Sequence, residues 1–243
     1  MNLMEQKRFK NQIDLPFIGE AGQLKLKNTK VVVIGAGGKG ISVMKLLAAG
    51  GVGTIGICDN ALVDEMELSR QNMYGLMDLG KQRAIVAKQY LEHMSHTNAF
   101  KVHNLLIDGN NNADFCMQYD LIVDATSNWK SKYEITKLVD GKDIPMVSGM
   151  THNHAGEVFV NHKSDISKLQ KYFKQKMEQP HIHTPVEDFA IPVILLSVTG
   201  SMIANEVFRV LLDIHSPVDG KKLVFSLDKY QFEIKDFKKS NTH

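Results

Sequence analysis

The segment from residue 30 to residue 59, KVVVIGAGGKGISVMKLLAAGGVGTIGICD, constrains the fold more than any other part of the chain. Residues 31–34 and 55–58 are short apolar runs of the kind found in buried strands, and residues 41–49 have the length and composition of a helix. The pattern predicts two parallel strands joined by a helix, which is the repeating unit of α/β sheets.

Four glycines, Gly35, Gly37, Gly38 and Gly40, stand between the first strand and the helix. In a nucleotide-binding turn, the first glycine permits the turn, the second lets a phosphate approach the backbone, and the last lets the helix lie close to the strand. The helix N-terminus offers free N–H groups to an anion. Asp59 follows the second strand, at about the spacing of a ribose-binding carboxylate. We interpret the segment as a nucleotide site; the alternative is a structural turn without a ligand.

The rest of the chain continues the alternation of strands and helices. Residues 100–106, 120–124, 145–148 and 156–160 are predicted strands, and residues 81–94, 130–139 and 191–212 are predicted helices. Residues 223–227 and 231–234 predict two strands joined by a tight turn. The predicted fold class is α/β: a doubly wound, Rossmann-like, mostly parallel sheet extended by C-terminal antiparallel strands.

The predicted domain organisation is simple. Residues 1–28 form an N-terminal helical arm, and residues 29–243 form one nucleotide-binding α/β domain. Residues 161–190 are polar and charged and are predicted to be a crossover loop. Ligands bind beyond the carboxyl ends of the strands in such sheets, so the glycine turn, Asp59 and residues 124–128 are expected to meet at that edge.

Composition excludes several function classes. The net charge of +2 argues against a dedicated nucleic-acid surface. Residues 1–10 lack the apolar segment of a signal peptide, and the apolar stretch 191–204 is too short to span a bilayer, so no membrane partner is expected. Two cysteines without a CxxC pair predict neither a disulfide framework nor a structural zinc site, and indicate a cytoplasmic protein.

Several motifs recur together in one order: GAGGKG, CDN followed by LSRQN, DATSN after a strand, and the closing LVFSLDKYQFE. With this set the chain, from Arg8 to Asp236, resembles the ThiF, MoeB and HesA proteins, which are bacterial relatives of ubiquitin-activating enzymes. The resemblance implies a homodimer that binds ATP and Mg²⁺ and adenylates a carboxylate. That carboxylate is often the C-terminal glycine of a small ubiquitin-like sulfur carrier protein.

The resemblance also implies roles for individual residues. Arg70 matches an arginine that contacts phosphates, Arg83 takes the place of a phosphate-binding lysine, and Asp124 begins the motif associated with magnesium. These three are the predicted catalytic residues. The predicted cofactor-binding residues are Gly35, Gly37, Gly38, Gly40, Asp59, Gln71, Ser127 and Asn128. The sequence predicts no specific metal ligand.

Besides Arg83, three positions depart from the family pattern. Asn11 replaces an arginine that reaches the partner subunit's phosphates, Glu67 replaces a loop asparagine, and Ser127 replaces the magnesium-linked aspartate. Serine supplies no negative charge for a metal ion. The departures therefore predict a partly degenerate site that binds ATP but adenylates slowly, or only for an unusual substrate.

Alternatives remain open at this stage. The chain is either an adenylating enzyme or a nucleotide-binding relative that acts as a binding module, and an NAD-dependent oxidoreductase is a weaker third hypothesis because Asp59 would suit NAD equally. Locally, Arg70 is either a phosphate ligand or a surface arginine, and Arg83 is either a phosphate ligand or a solvated residue at a helix start. Asp124 is either a metal contact or a cap at the end of its strand.

Overall fold

The computed structural model describes residues 1–109, 113–178 and 191–237, and one eight-stranded sheet runs through them in the order β3-β2-β1-β4-β5-β6-β7-β8. The first five strands in this order are parallel and the last three are antiparallel. The predicted fold class is therefore confirmed. The strands are β1 (Lys30–Ile34), β2 (Thr54–Cys58), β3 (Ala99–His103), β4 (Leu121–Asp124), β5 (Met146–His152), β6 (Ala155–Asn161), β7 (Lys222–Ser226) and β8 (Gln231–Lys235).

Helices cover both faces of the sheet. The described α-helices are α1 (Leu3–Arg8), α2 (Lys10–Ile13), α3 (Gly19–Asn28), α4 (Gly38–Ala49), α5 (Glu65–Leu68), α6 (Arg83–Met94), α7 (Trp129–Val139), α8 (Ile166–Met177) and α9 (Val193–Leu211). Two short 3-10 helices, Leu76–Asp78 and Asp114–Gln118, lie between them. The N-terminal arm is helical as predicted, and its Phe9 and Leu26 side chains are buried against the domain.

Strand β1 contributes side chains to two apolar cores, one on each face of the sheet. Val31 and Val33 lie in one apolar cluster with residues of α4, α6 and α9, whereas Val32 and Ile34 lie in a second cluster with residues of α7 and α8. Successive side chains of a strand point to opposite faces, so a strand covered on both faces is apolar throughout. This explains the unbroken apolar run that the sequence shows there.

The parallel register brings the predicted site residues together. Ile34 at the end of β1 pairs with Cys58 on β2 and with Asp124 on β4. The three strands therefore end in one row, and the glycine turn, Asp59 and residues 125–128 follow that row directly. This is the sheet edge at which the sequence analysis expected a ligand.

The prediction of a crossover loop over residues 161–190 was wrong for Ile166–Met177, which form helix α8. Asp165 caps this helix by accepting a hydrogen bond from the Ser167 N–H, and Leu169 and Phe173 are buried against the sheet. The high charge of the segment belongs to the solvent face of an amphipathic helix, and an apolar stripe at helical spacing supplies the other face. Residues 179–190, with His181 and His183, lie outside the described residues.

Helix α9 confirms the predicted helix over residues 191–212, whose apolar sequence is typical of a buried or an interface helix. It is 19 residues long and, by length and composition alone, apolar enough to cross a membrane. Half of its apolar window is buried, and it lies against α4 and strands β5 and β6, which is the placement of a core helix. Packing within one chain thus accounts for the buried half of this apolar window.

Candidate nucleotide site

A cavity of about 470 Å³ opens at the carboxyl edge of β1, β2 and β4. Nine of the predicted site residues line it: Gly35, Gly37, Gly38, Asp59, Arg70, Gln71, Arg83, Ser127 and Asn128. Lys39 and Glu67, which the sequence analysis did not assign to ligand binding, line it as well. Asp124 and Gly40 are not among the described residues that line it. The structure thus brings together segments that are far apart in sequence.

The glycine turn is held in place by side chains from elsewhere in the chain. Gly35 has a φ of +99°, a conformation that residues with a Cβ rarely adopt. The Ala36 N–H donates to Asp59 Oδ2 at 2.7 Å, and the Tyr74 hydroxyl donates to the Ala36 carbonyl at 2.7 Å. Burial raises the pKa of Tyr74, so this hydroxyl remains a donor. Sequence reasoning missed Tyr74 because its role depends on a contact across a loop.

Two glycines of the turn have different reasons to lack a side chain. A Cβ on Gly40 would collide with the Gly35 carbonyl, so this glycine serves the close approach of helix and turn, as predicted. A Cβ on Gly37 would meet no atom within 4 Å, and Gly37 lines the cavity. The protein itself leaves this space open, which is the arrangement a ligand phosphate needs at a helix N-terminus.

Asp59 is fixed at the mouth of the turn. Its Oδ2 accepts from the Ala36 N–H, and its Oδ1 accepts from the Ala61 N–H at 2.8 Å. Each carboxylate oxygen has a second lone-pair direction, so the side chain retains acceptor capacity toward the cavity. Its role as a ribose ligand stays a prediction that this geometry permits.

The two predicted phosphate arginines meet at Glu67. Arg70 Nη2 lies 3.6 Å from Glu67 Oε1, and Arg83 forms a closer ion pair with Glu67 Oε2. Arg83 Nε also donates to the Leu62 carbonyl at 3.1 Å. All three charged side chains are largely buried, so their attraction is screened less than that of a surface pair. An anion entering here competes with Glu67 for both guanidinium groups.

Asp124 has a structural environment rather than a catalytic one. Its carboxylate is fully buried and accepts hydrogen bonds from Lys132 Nζ at 2.9 Å and from the Ser148 hydroxyl at 2.6 Å. Its other oxygen accepts from the Thr126 N–H and hydroxyl at 3.0 and 2.6 Å. These donors occupy the carboxylate, so the geometry favours the strand-end cap over the metal contact.

Lys39 and Ser127 form the least expected pair in the site. Lys39 is 1% exposed, and its Nζ donates to Ser127 Oγ at 3.2 Å. Burial and, to a lesser extent, the nearby Lys132 lower the pKa of Lys39 to about 7, while Asp124 acts against the shift. The signal for Lys39 in the sequence is a lysine among the glycines of GAGGKG, at the predicted start of a buried helix.

The remaining predicted residues have local roles that leave part of each side chain available. Asn128 caps α7 by accepting from the Ser131 N–H at 2.7 Å. Gln71 is buried, and its Oε1 has no hydrogen-bond partner. A buried, unsatisfied amide oxygen beside a cavity is an acceptor that a ligand donor could satisfy. Asn11 lies on exposed α2 and is not among the described residues that line the cavity.

The described residues do not form a carboxylate metal site. They contain no group of three or more His, Cys, Asp or Glu side chains that could hold a metal ion. At the position where the family pattern has an aspartate, Ser127 carries no charge, and its hydroxyl oxygen accepts a hydrogen bond from the Lys39 ammonium group. Position 127 therefore supplies no carboxylate for a protein-held Mg²⁺ ion.

Both cysteines, Cys58 and Cys116, are buried free thiols. Burial raises the pKa of Cys116 to about 12 and that of Cys58 as well. A thiol that remains protonated at neutral pH is a poor nucleophile, so neither side chain is suited to thioester or persulfide chemistry.

Comparison with known proteins gives one consistent family. The model described as "ThiF family" matches residues 9–243. A sulfur carrier protein adenylyltransferase of Thermus thermophilus is 30% identical over 225 residues, which is 91% of this chain and 83% of that protein. The probable adenylyltransferase/sulfurtransferase MoeZ of Mycobacterium tuberculosis is 31% identical over 91% of this chain, but the match covers only 57% of that longer protein.

A solved structure supports the fold. The crystal structure of E. coli MccB with ATP superposes with a TM-score of 0.77 and covers all of this chain and 74% of that one. The identity is only 20%, so this likeness extends to the fold alone.

Proposed function

This chain belongs to the ThiF family, and from that membership together with the cavity we propose that it is an ATP-dependent adenylyltransferase that activates a carboxylate. The proposed substrate is the C-terminus of a small ubiquitin-like sulfur carrier protein or a small carboxylic acid. We also propose that the protein acts in the cytoplasm.

The reaction needs charge stabilisation and alignment rather than covalent help from the protein. A carboxylate oxygen attacks the α-phosphorus of ATP, a new oxygen–phosphorus bond forms, and the bond from that phosphorus to the β-phosphate oxygen breaks. Pyrophosphate leaves with the electron pair. In this site, the N–H groups at the start of α4, together with Arg70 and Arg83, would stabilise the charge that develops on the phosphates.

One observation carries the proposal: the glycine turn, Asp59 and the two arginines line a single cavity at the sheet edge. The turn and helix N-terminus suit phosphates, and Asp59 suits a ribose hydroxyl pair. The experiment that tests the activity is ATP–pyrophosphate exchange with a panel of ubiquitin-like carriers and small carboxylic acids. Exchange above background with one of these substrates supports the proposal; background exchange with the whole panel counts against it.

We predict that ATP or AMP binds more tightly than NAD. Asp59→Ala should weaken binding by about 1–3 kcal/mol, because a charge-assisted hydrogen bond to the ribose is lost. Calorimetric titration with the three nucleotides measures both effects. Asp59 also holds the Ala36 and Ala61 N–H groups, so thermal unfolding of the same variant is the control for a loosened turn. Tighter binding of NAD than of ATP or AMP would favour the oxidoreductase hypothesis instead.

One observation favours the second candidate, a binding module without strong catalysis. Glu67 neutralises part of the positive charge that Arg70 and Arg83 would bring to the phosphates. The departures at Asn11 and Ser127 remove further family contacts to the phosphates and the metal ion. A protein that binds ATP but gives background exchange with every carboxylate tested would fit this candidate.

We further propose that the protein is a homodimer, as the family resemblance implies. Leu3, Leu76 and Met77 are large apolar side chains that are mostly exposed in the single chain, and exposed apolar surface is often covered by a partner. Light scattering at micromolar concentration is expected to give twice the chain mass of 27.3 kDa. A monomer under these conditions would contradict the proposal.

A further inference from the structure

Lys39 stands in an environment that disfavours its charge in three ways. It is almost fully buried, it lies in the first turn of α4, where the helix dipole is positive, and it is close to a second buried lysine, Lys132. Asp124, whose negative charge acts on Lys39, is already paired with Lys132 at 2.9 Å. Among the described residues, Lys39 has the neutral Ser127 hydroxyl as its hydrogen-bond partner and no carboxylate in an ion pair.

A buried cation with no counter-charge is costly, and such costs are typical of sites where a ligand completes the arrangement. Lys39 and Ser127 both line the cavity beside Gly37, where the backbone leaves open space. Arg70 and Arg83, the other described cations of the cavity, are already paired with Glu67. An anion in the cavity would supply the counter-charge that Lys39 lacks among the described residues.

We propose that Lys39 is a phosphate-binding cation of the nucleotide site, and that Lys39 and Ser127 together replace the aspartate-held magnesium ion of the family pattern. The inference rests on the proposed nucleotide-binding function and deepens it. Ser127 orients the ammonium group without neutralising it, whereas an aspartate at this position would form an ion pair with Lys39. The serine and the lysine are thus complementary departures from the pattern.

The test is calorimetric titration of the full chain with ATP, in EDTA and in Mg²⁺. Wild-type affinity is expected to differ less than about threefold between the two buffers, since the resident cation is a side chain. Lys39→Met should weaken ATP binding at least about tenfold in EDTA, the loss expected for one charge-assisted contact. The affinity of Lys39→Met for adenosine, measured by ligand-observed NMR, should differ from that of the wild type by less than about twofold, because adenosine lacks phosphates.

Lys45→Met is the matched control, because it removes one positive charge from the same helix at a residue that is not among the described lining residues. Methionine at position 39 is close in shape to lysine and removes a buried charge, so the melting temperature of Lys39→Met should equal or exceed that of the wild type. A lost ATP affinity in a folded Lys39→Met variant then reports on the phosphate contact.

A second pair of variants tests the replacement of the metal ion. Ser127→Asp alone should weaken ATP binding, because the new carboxylate neutralises Lys39. Combined with Lys39→Met, the same aspartate is free to hold a metal ion, so the double variant should bind ATP more tightly in Mg²⁺ than in EDTA. A double variant that is insensitive to Mg²⁺ would overturn the replacement.

Affinity should also depend on pH through Lys39. Its pKa of about 7 in the empty site means that phosphate binding draws in a proton, so affinity for ATP should fall as the pH rises above about 7. Lys39→Met should show a flatter profile. The charged groups that face Lys39 or line its cavity are Asp124, Lys132, Asp59, Glu67, Arg70 and Arg83.

The outcomes separate this inference from the proposed function. A wild-type protein that binds no adenine nucleotide would overturn both. A wild-type protein that binds ATP, with Lys39→Met indistinguishable from Lys45→Met, would overturn this inference and leave the proposed function standing.

Discussion

Lys132→Met is expected to lower the free energy of unfolding by about 3–5 kcal/mol, because it leaves the Asp124 carboxylate buried without its counter-charge. Both side chains are fully buried, and Lys132 Nζ also donates to Ser148 Oγ at 3.2 Å and to the Gly149 carbonyl at 2.8 Å. Burial lowers the pKa of Lys132, and the Asp124 carboxylate acts against that shift. Chemical denaturation measures the loss.

The design includes a control and a rescue. Lys130→Met removes an exposed lysine from the same helix and should change stability by no more than about 0.5 kcal/mol. Adding Asp124→Asn to Lys132→Met removes the stranded charge, so the double variant should recover part of the loss. If Lys132→Met unfolds like Lys130→Met, the pair does not hold β4 to α7 and β5 as the geometry indicates.

This pair shows why the sequence left the role of Asp124 open between a metal contact and a strand-end cap. A carboxylate at the end of a strand at the ligand edge is consistent with a catalytic role and with a cap. The deciding contacts come from Lys132 on α7 and Ser148 on β5, the neighbouring strand. No local pattern specifies which helix face turns toward the sheet, so the partner of Asp124 was beyond sequence reasoning.

What could be predicted is local or periodic. The strand–turn–helix segment follows from apolar runs and glycine spacing, and the position of Asp59 follows from the length of one βαβ unit. Gly40 shows that a role can be predicted when it depends only on neighbouring residues. Its predicted packing role depends on the adjacent turn alone, and the structure bears it out through the Gly35 carbonyl.

The features that could not be predicted from the sequence, or were predicted wrongly, have two physical causes. Helix α8 was missed because its high charge outweighed the apolar spacing of Leu169, Tyr172 and Phe173, a signal that was present in the sequence. The pairing of Lys39 with Ser127 was missed because the two residues are 88 positions apart, and only the β1–β4 register brings them together. The same applies to Glu67, which was treated as a missing asparagine rather than as a new charge beside two arginines.

Arg70→Met is expected to reduce ATP–pyrophosphate exchange by about 10²–10³-fold, measured with whichever carboxylate substrate supports exchange in the wild type. A guanidinium group in a largely buried site acts on the charge that develops as pyrophosphate leaves, and its removal costs more in the transition state than in the bound nucleotide. Lys81→Met is the matched control, since Lys81 is exposed and paired with Asp78. It should leave exchange unchanged.

Glu67→Gln should have the opposite effect on nucleotide binding. Glu67 holds both Arg70 and Arg83, so the phosphates of ATP must displace it before they gain either guanidinium group. Glutamine keeps the size and hydrogen-bonding capacity of the side chain but removes its charge, so ATP affinity should rise about tenfold, the equivalent of one ion-pair contact of about 1.4 kcal/mol. If Glu67→Gln instead weakens binding as Arg70→Met does, Glu67 positions the arginines for the phosphates. The sign of this one change thus decides whether the acid restrains the site or prepares it.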